Sequence, residues 1–125
     1  MRLSALCLTP LLALSACGSS SNSPPTASIY ASCTDVDASS TCISDAATFA
    51  TTIQPILARS CLPTCHDNSP DAAWPLTDFD DVQAWTTFIA QDLLACTMPP
   101  AASGYPMSRE DRETILDWIA CDAPP

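Results

Sequence analysis

Two sulfurs and an imidazole stand close together in the segment ARSCLPTCHDNSP: Cys61, Cys65 and, directly after the second cysteine, His66, the single histidine of the chain. Side chains of these types at this spacing support three chemistries. The thiols can add to the vinyl groups of a porphyrin while the imidazole ligates its metal, all three can bind a soft metal ion, or the sulfurs can close a disulfide beside an uninvolved histidine. Zinc needs a fourth donor, which only Cys96 or Cys121 could supply, and adjacent Cys and His side chains rarely bend onto one tetrahedral ion. A thiol nucleophile would take its histidine from a separate segment, together with an orienting third group. Phosphate-cradling loops are excluded, since Gly18 and Gly104 are the only glycines.

What cysteines can do depends on compartment. The chain opens MRLSALCLTPLLALSAC, with Arg2 ahead of an apolar run from Leu3 to Leu14 and small residues before Cys17, the pattern of an export signal. That run is too short to span a bilayer as a helix. Its end, Leu14-Ser15-Ala16-Cys17, resembles the bacterial lipobox. The resemblance implies that residues 1–16 are a signal peptide, that Cys17 carries lipid and holds the protein to a membrane, and, with Gly18 following, that the protein is an outer-membrane lipoprotein of the bacterial cell envelope, facing the periplasm or the cell surface.

After removal of Arg2 only Arg59, Arg109 and Arg112 oppose 14 carboxylates, and the formal net charge moves from −10 to −11. Such a chain repels nucleic acid. A protein partner is expected to offer a basic docking face, with association that weakens as salt rises.

Residues 17–44, rich in Ser, Thr, Ala, Pro and Asn, have no amphipathic period and read as a lipid-anchored tether spanning about 30 Å as a flexible coil. Within it CTDVDASSTC sets Cys33 and Cys42 close enough for a local disulfide in an oxidising compartment. Asp35 and Asp37 lack the spacing and the glutamate of a calcium loop. The remainder, 45–125, is small for a self-sufficient apolar core.

Three helices are legible in it. Phe49, Ile53, Ile56 and Leu57 form one helical stripe, with Pro55 predicting a bend or a restart near Gln54. A second helix begins at a Thr77 or Asp78 cap, repeats Val82, Trp85, Ile89 and Leu93, and stops before Pro99-Pro100. The third starts at Ser108, with Asp111 three residues on, and buries Ile115, Trp118 and Ile119. No stretch alternates long enough for a strand. The expectation is an all-α domain with long loops from Asp67 to Leu76 and from Thr97 to Met107.

The order of TIQPILARSCLPTCHD, CTMPPA and SREDRETILDWIACDAPP resembles a small class I cytochrome c domain, as in cytochrome c-like lipoproteins of bacteria, over about residues 49–125. It implies three main helices around a haem and a carrier of electrons rather than an enzyme. Carried over, Cys61 and Cys65 are the thioether positions of haem c, His66 is the proximal iron ligand, and Met98, on the loop before the last helix, is the second axial ligand, with Met107 as its competitor. A thioether ligand favours reduced iron. Ile53, Leu57, Trp74, Leu76, Leu93 and Trp118 are available to line the pocket, with Trp118 also placed to pack on Phe49 and Ile53. Arg59 and Trp74 could meet the propionates. The partner implied is a redox protein. Two departures stand out: three residues, Leu62-Pro63-Thr64, separate the cysteines where the family usually has two, and Asp122 stands where the family commonly has Gly.

If haem takes Cys61 and Cys65, Cys33 pairs with Cys42 and Cys96 is left to pair with Cys121. The alternative, from another functional class, is a disulfide-stapled envelope lipoprotein of the same fold without haem, with Cys61 bonded to Cys65 and a binding or structural role. Both use every cysteine.

Overall fold

Pro55 dictates how the first helical segment is built. Without an amide hydrogen it cannot make the α-type bond of an interior residue. In the computed structural model, which describes residues 42–43 and 47–125, the chain makes a π-helical turn at Phe49–Ile53 and restarts as the α-helix Gln54–Ser60 (α1) with Pro55 in its first turn. The restart falls where the sequence placed it. Phe49, Ile53, Ile56 and Leu57 are all buried.

The two longer helices start at the residues their caps predict. Asp78 accepts from the Asp81 amide at 3.0 Å and opens Phe79–Leu94 (α2), with Asp80 and Asp81 at the positive end of the helix dipole. Ser108 accepts from the Asp111 amide at 3.0 Å and opens Arg109–Ala120 (α3).

Their ends follow a single design. After α2, Thr97 donates to the Asp92 carbonyl at 3.0 Å and Cys96 lies in the left-handed region at φ 58°. After α3, Ala123 donates to the Trp118 carbonyl at 2.9 Å, Asp122 donates to that of Ile119 at 3.1 Å, and Asp122 sits at φ 64°. Both are left-handed caps, which most proteins build on glycine. Asp tolerates that conformation better than most side chains, which suits Asp122 to this place.

α2 packs against α3, and the core lies where both meet the first segment. Phe49 is its hub, with ring centroids 5.5 Å from Phe79 and 6.2 Å from Trp118. Trp118, fully buried, satisfies its indole N–H on the Pro124 carbonyl at 2.8 Å. Burial of a side chain of the Ile53 or Leu57 class contributes about 1.5–3 kcal/mol. There is no strand among the described residues, and the domain is small and all-α. No helix among them is long and apolar enough to cross a membrane. The expected leader, Cys17 as the expected site of lipid attachment, and Cys33 lie outside the described residues.

The disulfide pattern differs from the expected one. Cys42 is bonded to Cys121, 79 positions away, so the pairings Cys33 to Cys42 and Cys96 to Cys121 are both replaced. Spacing along the chain favoured the local pairings, but Cys42 lies at the end of α3, where the Ile43 amide also donates to Asp117 Oδ1 at 2.8 Å. The folded unit thus takes in Cys42 and Ile43, ahead of the boundary that composition placed after residue 44.

Candidate functional site

The three residues between Cys61 and Cys65 make a turn. Pro63 (φ −57°, ψ 109°) and Thr64 (φ 66°, ψ −6°) have the dihedrals of the central pair of a type II turn, with proline in its preferred place and threonine where glycine is usual. The His66 amide closes back on the Cys61 carbonyl at 3.2 Å, a five-residue π-type span over Leu62–His66. This wide turn returns Cys65 and His66 to the wall that Cys61 occupies.

That wall belongs to a cavity of about 280 Å³. Cys61, Cys65 and His66 line one part of it. Leu57 of α1, Leu76, and Trp85, Ile89 and Leu93 of α2 line another, and Met98, Pro99, Pro100 and Tyr105 of the following loop a third, with Ile115 from α3. The surroundings are almost wholly apolar and aromatic. Trp74 stacks on Trp85 with centroids 5.3 Å apart, Phe88 lies beyond at 5.7 Å from Trp85, and Trp74 and Phe88 are each about half exposed, so they form the rim.

The imidazole is held from behind. His66 Nδ1 lies 2.7 Å from the Ala73 carbonyl oxygen and 3.0 Å from that of Trp74. A carbonyl only accepts, so Nδ1 carries the proton, and Nε2 of the neutral ring keeps a lone pair for a Lewis acid. Metal-ligating histidines are commonly oriented this way. The loop that supplies the carbonyls is tied down. Leu76 donates to the His66 carbonyl at 2.9 Å, Asn68 to Thr77 Oγ1 at 3.0 Å, and the Ser69 amide to Asp67 Oδ1 at 3.1 Å. Hydrogen bonds from Ser69, its hydroxyl foremost and then its amide, hold the Asp67 carboxyl below the usual range. Trp74 itself sits at φ 53°, a left-handed conformation costly for a bulky residue and of the kind that marks functional sites.

The two sulfurs are not equivalent. Cys61 is a free thiol, and its burial against the apolar wall pushes its pKa up to about 11, with the Arg112 charge pulling the other way. Cys65 is disulfide-bonded, as is Cys96. The expected equivalence of Cys61 and Cys65 is therefore corrected, and so is the rival Cys61 to Cys65 disulfide, because Cys61 carries no such bond.

The methionines separate cleanly. Met98 lines the cavity, whereas Met107 is buried in the hydrophobic core and does not line it. Of the expected lining residues, Leu57, Trp74, Leu76 and Leu93 are there, while Ile53 and Trp118 are spent in the core. Arg59, expected to face propionates, instead donates to the Pro55 carbonyl and pairs with Asp111. No cluster of three or more His, Cys, Asp or Glu side chains able to hold a bare metal ion occurs among the described residues.

One residue escaped the sequence reading altogether. Arg112 of α3 is only 5% exposed and donates from one nitrogen to the carbonyls of Leu93 and Met98, at 2.9 Å each. Arginine on a helix reads as a surface residue, and nothing in the sequence signals otherwise.

The chain matches no protein-family model, no curated protein and no solved structure. The geometry of the site is what bears on function.

Proposed function

We propose that this protein is a membrane-anchored c-type cytochrome that carries electrons through a haem held in the cavity. The observation that carries the reading is the His66 imidazole, fixed through Nδ1 to two carbonyls and lining one apolar cavity with Met98, Cys61 and Cys65. The donor set fits the group: a neutral imidazole, a soft thioether, two cysteine sulfurs on one wall, and apolar surfaces suited to a flat macrocycle. Haem c supplies a one-electron iron couple when bound.

The chain's own residues do the rest. His66 and Met98 would hold the iron, one through its imidazole and the other through its thioether. Cys61 would hold one edge of the macrocycle through a thioether, its sulfur going to one vinyl carbon and its hydrogen to the other with no net oxidation. Cys65 would hold the macrocycle in the same way once a dithiol reductant, supplying two electrons and two protons, had opened its disulfide. Trp85, Ile89, Leu57 and Leu93 exclude water, which with the thioether raises the potential. Lipid on Cys17 anchors the carrier to the envelope, and the net charge of −11 after processing suits a redox partner with a basic face.

A second reading has its own observation. The disulfide at Cys65 commits one attachment sulfur, and this favours a haem-free stapled module of the envelope. Purification from an exporting cell that makes c-type haem separates the two. The carrier gives a Soret band that survives denaturation; a colourless protein would overturn it in favour of the stapled module.

A further inference from the structure

Arg112 is the one arginine in the described residues that is buried, and no carboxylate pairs with it there; Arg59 and Arg109 pair with Asp111 and Glu113. A buried cation is costly unless its donors are met. The two hydrogens on its Nη1 are met by main-chain oxygens on either side of the bend that follows α2. Leu93 presents the first, in the last turn of α2, where its carbonyl also accepts from the Cys96 amide at 3.4 Å and the dipole favours a cation. Met98 presents the second, at the point where the loop enters the cavity. Its Nε has no partner. A leucine there would fill the core without that cost, so packing alone gives no reason for an arginine.

Other ties on this bend are the disulfide at Cys96 and the carbonyls of Gln91, Leu93 and Asp92, which accept from amides that follow α2. The Asp92 carbonyl accepts from the Thr97 amide at 3.0 Å and from the Met98 amide at 3.5 Å, and its carboxylate accepts from the Thr97 hydroxyl at 2.7 Å. The hydrogen bonds from Arg112 run from α3 to both sides of this bend.

We propose that Arg112 is a positioning residue for Met98, a clamp from α3 that holds the Met98 main chain so that its thioether stays directed to the cavity. The inference rests on reading Met98 as the second axial ligand.

The test uses the full chain matured in a cell that makes c-type haem, with Arg112→Met and Arg112→Gln. A merely structural role lowers stability and leaves the iron's ligands alone. The clamp gives a different signature. Arg112→Met keeps its attached haem and Soret band, loses the weak long-wavelength band of thioether-to-ferric-iron ligation, and binds added imidazole about tenfold more tightly, because a larger fraction of molecules has Met98 displaced. Arg112→Gln, whose shorter amide can reach one carbonyl at most, shifts both readouts in the same direction by less, and serves alone if Arg112→Met does not fold. An intact band with unchanged imidazole affinity in the folded variants overturns the proposal. If the parent protein carries no haem, the reading of the site fails, and the clamp is then measured by amide hydrogen exchange. Faster exchange at Thr97 and Met98 in Arg112→Met, with α3 unchanged, supports the clamp; unchanged exchange there overturns it.

Discussion

His66 Nδ1 and the Ala73 carbonyl oxygen are 2.7 Å apart, and the oxygen has no proton to give. The hydrogen therefore sits on Nδ1, and the ring has one tautomer when neutral. Long-range proton–nitrogen correlation on the haem-free chain with the ring neutral should show Nδ1 protonated and Nε2 bare. A ring protonated on Nε2 would remove the argument that the histidine is prepared as a ligand.

Joining Cys42 to Cys121 ties the start of the folded unit to the end of its last helix. A crosslink over 79 positions lies toward the upper end of what chain entropy provides, about 4 kcal/mol. Replacing both cysteines by serine should lower the unfolding free energy by roughly 2–5 kcal/mol in urea titrations. A change under about 1 kcal/mol would mean that the bond constrains little beyond what the Ile43 to Asp117 contact already holds.

The two methionines near the last helix should separate in their effects. Met107→Ala, in the core, is expected to cost about 2–4 kcal/mol of stability and to leave the haem spectrum unchanged. Met98→Ala should do the reverse, abolishing the long-wavelength ligation band at little cost in stability. Absorption spectra and denaturant midpoints of the two variants check this.

The sequence reveals helix starts far better than helix ends. Asp78, Ser108 and Pro55 are local signals, and each acts at the position where it stands. The ends are hidden because Cys96 and Asp122 occupy left-handed positions that glycine usually marks. Disulfide partners were misassigned for a related reason. Proximity of Cys42 to Cys121 is a product of tertiary packing, and the short distance from Cys33 to Cys42 along the chain says nothing of it. The order of Cys61, Cys65, His66 and Met98 along the chain singles them out as candidates, and the cavity gathers these four residues. The separation of Met98 from Met107, the left-handed Trp74 that supports His66, and the burial of Arg112 all depend on which face of which element turns inward, and no local pattern in this chain encodes that.

The raised pKa of Cys61 sets a pH dependence with a definite sign. Apolar surroundings hold the proton on the thiol up to about pH 11 in the folded chain, whereas an unfolded cysteine releases it near 9. The folded state thus binds more protons across that window, and stability falls as pH rises through it. The contribution is fully present below about pH 9. Urea midpoints of the haem-free chain should decline from about pH 9 to 11, and Cys61→Ala should remove that part of the decline. Alkylation of Cys61 near neutral pH should be slow until the chain unfolds. Identical pH profiles for the parent chain and Cys61→Ala would contradict the assignment.

Intact-mass measurement of the mature protein, exported by a cell that makes c-type haem and denatured before analysis, tests the central claim most directly. The account expects the chain to carry the added mass of one haem, with attachment mapped to the peptide holding Cys61, Cys65 and His66. A chain of unadorned polypeptide mass, with Cys65 still in its disulfide and Cys61 still a free thiol, would contradict it.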